Sequence, residues 1–311
     1  MRRNLRRFVS FAAVLVVGLT AAGRATAADE GRLLATSRSG ELRVEQRGEE
    51  YWVVSSKDPA QAAQIPVESG EETGPVEFYF SPNDEWLFTL PNGMSCRREG
   101  SLFHRDAAAG KLEAVESFND QGWAQGWKLV GFAQDFSVQG ACAMMRFIGW
   151  SQDSARLLVG LRGGEGKFEI DGAYLYFRIG TKRWELTPYL RKLNKITSDI
   201  LSATDDVLPC AESVGPLPAE EELKARLEKL DAELNTRYAE LMKAASEKDA
   251  GTLRIEQRDW LKQRDAGLKF YLSLAKPAEK ERRRLEFLGE VTAMRLALPP
   301  ETWSTGETWL Y

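Results

Sequence analysis

The stretch Leu230–Asp265, LDAELNTRYAELMKAASEKDAGTLRIEQRDWLKQRD, decides the fold of the C-terminal part of the chain. Leu223, Leu227, Leu230, Leu234, Tyr238 and Leu241 recur at steps of four and three, which lines them along one side of a helix. Glu, Lys and Arg cover the other side. Ser246 to Gly251 supplies a Ser, an Asp and a Gly, enough to end one helix and begin the next. The second helix carries Gln257, Trp260 and Arg264 at i, i+3 and i+7, on a single face. The pattern predicts an antiparallel helical hairpin with a polar-aromatic stripe. Trp260 is expected as a core anchor whose indole N–H reaches a carbonyl or Asn235 across the hairpin. Gln257 and Arg264 are expected to satisfy helix-end carbonyls, and Asp265 to pair with Arg258 or Lys262. The alternative use of this face is contact with a protein partner through its exposed charges Arg258, Lys262 and Asp265.

The order LN-xx-Y followed by Q-xx-W-xxx-RD, written here by Leu234, Asn235, Tyr238, Gln257, Trp260, Arg264 and Asp265, resembles the LprI-type lysozyme-inhibitor domain. The resemblance runs from about Cys210 to Leu298, with a weaker echo in Thr292 and Arg295. It implies a small secreted helical module that captures or inhibits a lysozyme-type muramidase. The family places a cysteine two residues after the Asp of the RD pair, where this chain has Gly267. Cys210 stands near the family's first cysteine, so the resemblance implies a disulfide that this chain cannot complete at that position.

Outward from the hairpin, composition changes near Cys210. Pro209, Pro216 and Pro218 mark Asp205 to Pro218 as a stiff linker. Before it, Gly31 to Leu193 has the short apolar runs of strands, with a hairpin over Glu41–Val54 turning at Arg47-Gly48-Glu49. VEFYFSPNDEWLFTL and MRFIGWSQDSARLLV share one layout: a strand, an aromatic, Ser81 or Ser151, a polar turn and a second strand. That phrase resembles a β-propeller blade, although a closed ring needs about four blades. Lys128 to Ala143 continues the strand pattern. The expected fold class is α+β multidomain, with an N-terminal all-β domain (propeller-like or sandwich) followed by an antiparallel helical bundle. The expected divisions are a signal peptide at 1–27, a β-rich domain at 28–204, a linker at 205–218, the helical domain at 219–298 and a tail at 299–311.

The leader follows from Arg2, Arg3, Arg6 and Arg7, an apolar run from Phe8 to Ala22 and the small residues Ala25-Thr26-Ala27. The run is shorter than the ~20 apolar residues of a membrane span. This predicts export to the periplasm or beyond, with no stable span after cleavage. Residues 1–27 hold five arginines and no acids, so removing them takes 42 basic residues to 37 against 46 acidic ones, and the charge from −4 to −9. That balance disfavours nucleic acid as a partner and suits either ordinary solubility or a cationic partner attracted over a Debye length of about 8 Å; that the cationic partner is a lysozyme-type protein is what the resemblance implies.

The residue inventory narrows the chemistry. His104 is the single histidine and no G-x-S-x-G elbow is present, so His-assisted nucleophilic catalysis and His/Cys zinc sites lack their parts. Glu220-Glu221-Glu222 suits a helix N-terminus, while Asp205-Asp206 is the other dense acidic spot. Gly163-Gly164-Glu165-Gly166 lacks the Lys of a phosphate loop and reads as a turn. Three cysteines leave one over. Cys96 with Cys142 is the favoured pair, with Cys210 free or paired to Cys142, and all three connectivities stay open. No cofactor and no catalytic residue is expected. The functional expectation is an exported, non-enzymatic binding protein, with an envelope interaction module and a wall-glycan enzyme as alternatives.

Overall fold

The structure is a computed structural model that describes residues 31–67, 74–92, 97–129, 143–163, 170–199, 208–298 and 303. The expected leader, Cys96, Cys142, Asp205-Asp206, Gly164–Gly166 and most of the tail lie outside the described residues.

Three sheets, antiparallel except for one short edge strand, form the N-terminal part. The first contains β1 (Arg32–Thr36), β2 (Leu42–Arg47), β3 (Glu50–Ser55) and β4 (Ala62–Ile65) in sequential order. The expected hairpin is β2–β3, turning through Gly48 at φ +60°, a conformation that favours glycine. The second contains β5 (Val76–Phe80), β6 (Trp86–Pro91), β8 (Ser101–Asp106) and β9 (Lys111–Ala114). The third runs β13 (Arg183–Glu185), β12 (Ile170–Arg178), β11 (Arg156–Gly163), β10 (Ala143–Trp150) and β7 (Arg97–Arg98), the last parallel to β10. Alternating residues of the second and third sheets share one core, with Phe88, Leu90, Met145, Leu157, Val159 and Phe177 buried in it.

The two alike phrases are turns of one construction, and there is a third. Ser37, Ser81 and Ser151 each accept, on Oγ, the N–H five residues on: Leu42 at 3.2 Å, Trp86 at 3.0 Å and Arg156 at 2.9 Å. At the fourth position of each turn the backbone is left-handed: Gly40 at φ +76°, Asp84 at +59° and Ser154 at +58°. Ser37 Oγ donates to Asp84 Oδ2 at 3.1 Å, and Asn83 N–H donates to Ser154 Oγ at 3.0 Å, so the three turns are joined in a row. Ser37-Arg38-Ser39-Gly40 escaped the sequence comparison because it shares only the serine and the turn, not the aromatic before it. With three sheets and β7 crossing from one to the next, the described residues do not make the propeller ring.

Two helices interrupt the expected run of strands. α1 (Phe118–Leu129) takes Lys128 and Leu129 into its last turn, where a strand was expected. Its glycines disguised it, yet they are what let it dock: a Cβ on Gly122 would meet the Trp184 ring at 2.7 Å, and one on Gly126 would meet Leu161 at 2.6 Å. α2 (Pro188–Asp199) packs on β12, where Asn194 Nδ2 donates to the Tyr174 carbonyl at 2.9 Å and its Oδ1 accepts the Tyr174 N–H at 2.8 Å.

The C-terminal part is three helices: α3 (Glu220–Ala244), α4 (Glu247–Ser273) and α5 (Lys280–Ala297). The break between α3 and α4 is shorter than the sequence suggested, with Ser246 capping Asp249 N–H at 3.2 Å and Gly251 inside α4. α5 is the buried helix: Leu285–Phe287 and Gly289–Leu296 are all buried. One side meets α3 and α4, and the other meets the third sheet, where a Cβ on Gly149 of β10 would meet Met294 at 2.5 Å.

The segment expected as a linker is not an exposed hinge over the residues described. Leu208, Cys210 and Ala211 are buried, and one apolar cluster unites Leu158 and Tyr176 of the sheet with Cys210, Tyr271, Phe287, Val291 and Met294. Tyr176 Oη donates to the Cys210 carbonyl at 2.5 Å and accepts the Glu212 N–H at 2.9 Å. Prolines stiffen this segment, but tyrosine hydroxyls and the apolar cluster fix its path.

Candidate functional site

The helical part holds the chemistry that the sequence singled out, and the helix faces separate it into an inner and an outer set. On the inside, Trp260 is buried at 1% exposure, as a core anchor should be. Its indole N–H has no hydrogen-bond partner among the described residues, and Asn235, expected to meet it, lies on the exposed side of α3. The ring is held through its faces instead. Arg264 lies over it at 5.5 Å and Arg295 at 5.7 Å; Arg295 also lies over Trp303 at 4.6 Å, and Arg237 over Trp303 at 5.3 Å. The result is an alternating ladder of three arginines and two tryptophans. Burial pulls the Arg295 guanidinium down to about 10, with Glu256 opposing the shift.

Helix-end carbonyls are satisfied here by Arg237, which donates to Leu296 O at 2.5 Å and Leu298 O at 3.0 Å, rather than by Gln257 or Arg264. Gln257 is half-buried, its Oε1 unbonded among the described residues, and Tyr238 packs on the α3–α4–α5 apolar cluster. Thr292 and Arg295, the weak echo in the sequence, are both buried on α5. Arg237 and Trp303 were not singled out by sequence reading, since nothing local marks a residue whose partner is about sixty positions away.

Gly267 occupies the position of the family's cysteine because the chain crosses there. A Cβ at 267 would meet Leu208 O at 3.0 Å, Leu208 N at 3.1 Å and Phe287 Cζ at 2.9 Å. Cys210, two residues beyond that crossing, is a free, buried thiol; burial pushes it well above its ordinary pKa, and Glu212 adds to the shift. Such a thiol is protonated and unreactive.

On the outside, Arg258, Lys262 and Asp265 fall on one exposed stripe of α4, with side chains 67%, 67% and 65% accessible. Arg254, Lys269 and the half-exposed Ile255 extend it. Asp265 pairs with its neighbour Arg264 at 2.9 Å, not with Arg258 or Lys262. Lys262 is taken by Asp259, one turn back at 2.8 Å, a contact that holds the Asp259 carboxyl below its usual range. The outer face of α3 is of opposite sign: Glu220, Glu221, Glu222, Glu228, Glu233 and Glu240 are exposed against Lys224, Lys229 and Lys243. Glu220–Glu222 do sit in the first turn of α3, where carboxylates complement the helix dipole.

A third group of residues joins the helices to the sheets. Glu286 Oε2 accepts from Tyr271 Oη and Arg283 Nη1, both at 2.8 Å, and its Oε1 from Ser213 N–H at 3.3 Å. Glu290, 1% exposed, accepts from Gln152 N–H at 3.1 Å and Ser213 Oγ at 3.4 Å, with Arg226 at 4.0 Å. Burial pushes the Glu290 carboxyl well above the usual carboxylate range, against the pull of Arg226. The signal for this group was the i, i+4 pair of glutamates inside an apolar run of α5, which the sequence reading passed over. Beside it lies an open cleft of about 650 Å³ lined by Asp153, Ser213, Pro216, Glu222, Arg226 and Lys229 among others.

His104 is half-buried in β8 with its ring 4.7 Å from Trp86, an ordinary strand residue. No group of three or more metal-ligating side chains occurs among the described residues, and no described helix is long and apolar enough to cross a membrane. No curated protein matches the chain. Residues 217–297, which run from the approach to α3 through the last turn of α5, match the family described as Lysozyme inhibitor LprI, the family whose motif the hairpin carries.

Proposed function

We propose that this is an exported, non-enzymatic binding protein whose helical part captures a lysozyme-type muramidase. The observation that carries the reading is the family match over a segment that folds as one three-helix unit, α3 to α5. Two features support it. The acidic outer face of α3 suits a cationic enzyme and would raise its encounter rate at low salt. The α4 stripe of Arg258, Lys262 and Asp265 offers exposed charged side chains that packing does not use. The buried arginine–tryptophan ladder holds both faces in place.

The test is inhibition of a panel of lysozymes by the mature protein at micromolar concentration, at low and physiological salt. Inhibition that weakens with salt, and with Glu221→Lys and Glu228→Lys in correctly folded protein, is the expected result. No inhibition of any lysozyme class sinks the reading. The second reading, an envelope module whose helices brace the sheets, then takes its place; the shared cluster of sheet and α5 residues favours it.

A further inference from the structure

We infer that the cleft between α3 and the 213–218 segment is a binding site for a single carboxylate carried on a compact polar molecule. This goes beyond the lysozyme reading and does not rest on it. The cleft holds about 650 Å³, within the range of about 300–1,000 Å³ usual for small-molecule sites. Two of its walls are set by elements already described: the Asp153 turn of the third sheet, and the first turns of α3.

Its charged groups differ in how far the fold already uses them. Asp153 is spent: Oδ1 accepts from Ser151 Oγ at 2.5 Å and Ala155 N–H at 3.0 Å, and Oδ2 from Val214 N–H at 2.9 Å. The two cations are not. Arg226 comes no nearer than 4.0 Å to Glu290 Oε1, beyond hydrogen-bond length, and makes no hydrogen bond among the described residues. Glu290 takes its hydrogen bonds from Gln152 N–H and Ser213 Oγ, and Arg226 acts on it through charge alone, with its N–H groups left over. Lys229, one turn further along α3 on the same face, is exposed and has no ion pair among the described residues. A guanidinium with its fork of donors free beside an ammonium is the pair that a carboxylate recognises.

The remaining lining limits the ligand. Glu222, one turn before Arg226, repels a second negative charge, so one carboxylate fits and two do not. Val214, Pro216 and Pro218 give an apolar wall for the C–H face of a ring or a small side chain. A carboxylate of this kind comes from a sugar acid or from the C-terminus of a short peptide.

Calorimetric titration of the full chain with N-acetylmuramic acid, an acetylated alanyl-alanine dipeptide and N-acetylglucosamine separates these sources. Binding of the sugar acid, the dipeptide or both, without binding of the neutral sugar, is expected. Arg226→Gln and Lys229→Gln should each weaken it by about tenfold or more, the scale of one charge-assisted hydrogen bond. Lys57→Gln, an exposed residue just after β3, should leave it unchanged. Lys229 is exposed, so its variant keeps the test valid if Arg226→Gln does not fold. Equal binding of the neutral sugar, indifference to the Lys229 substitution, or no binding of either acid overturns the inference. Lysozyme inhibition is read separately and can fail or succeed with either outcome.

Discussion

Replacing Gly267 by Ala and Gly251 by Ala makes the same chemical change twice in one helix, and the structure gives the two different outcomes. At 251 an added Cβ meets nothing within 4 Å, and the backbone is ordinary helix. The substitution there should stabilise by about 0.5–1 kcal/mol, the helix preference of Ala over Gly. At 267 the same gain is opposed by contacts of 3.0 and 3.1 Å to the Leu208 backbone and 2.9 Å to Phe287. Backbone held by a buried cluster does not yield as a flexible side chain would, and overpacking of this kind costs about 1–3 kcal/mol. Gly267→Ala should therefore be neutral to about 2 kcal/mol destabilising, and lie about 1–3 kcal/mol below Gly251→Ala. Urea unfolding followed by tryptophan fluorescence, with m-values compared, measures the gap. Equal stabilisation by both variants would show that the 208–211 segment does not cross α4, and the shared core of sheets and helices would fall with it.

Trp260→Ala should cost about 3–5 kcal/mol, since it removes a fully buried indole and leaves Arg295 without one of its two rings; a loss below about 1 kcal/mol by the same assay would mean the ladder does not anchor the helices. Glu290, with its folded pKa raised by burial, favours the folded state most when protonated, below the ordinary Glu pKa, and less as pH climbs through the raised value. Glu290→Gln should accordingly raise Tm at pH 8 and give little at pH 4; a larger loss at pH 8 than at pH 4 would show that attraction to Arg226 outweighs burial. Arg97 pairs with Ala143 in parallel register, and each directly follows a cysteine in the chain, so non-reducing peptide mapping should recover one Cys96–Cys142 crosslink with Cys210 alkylated only after unfolding. Proteolytic cleavage confined to 205–218 should destabilise the remainder, because Cys210 and Ala211 belong to the shared cluster; release of a helical fragment that refolds alone would restore two independent domains.

The sequence by itself determined the elements whose code is local. The helical hairpin followed from the spacing of Leu223 to Leu241 and of Gln257 to Arg264, and the family pattern followed from the same residues. The strand pairs around Ser81 and Ser151 were legible for the same reason, since a turn and its flanking alternation are written within about fifteen residues. The burial of Trp260 and the exposure of Arg258, Lys262 and Asp265 were also read from helix face alone.

Tertiary structure decided what depends on distant chain. Glycines at 122 and 126 argue against a helix until Trp184 and Leu161 are seen to need the space they leave. Three prolines near Cys210 read as a linker, yet Tyr176 and α5 bury its 208–211 end, and no local pattern encodes a tyrosine hydroxyl thirty-four residues away. Glu286 and Glu290 would be misplaced charges on an apolar face without Tyr271, Arg283, Ser213 and Gln152 to receive them. Gly267 looked like a lost cysteine; the crossing of Leu208 makes it the residue that lets sheets and helices share one core. Periodicity states which side of an element is apolar, but only the packed chain states what that side meets.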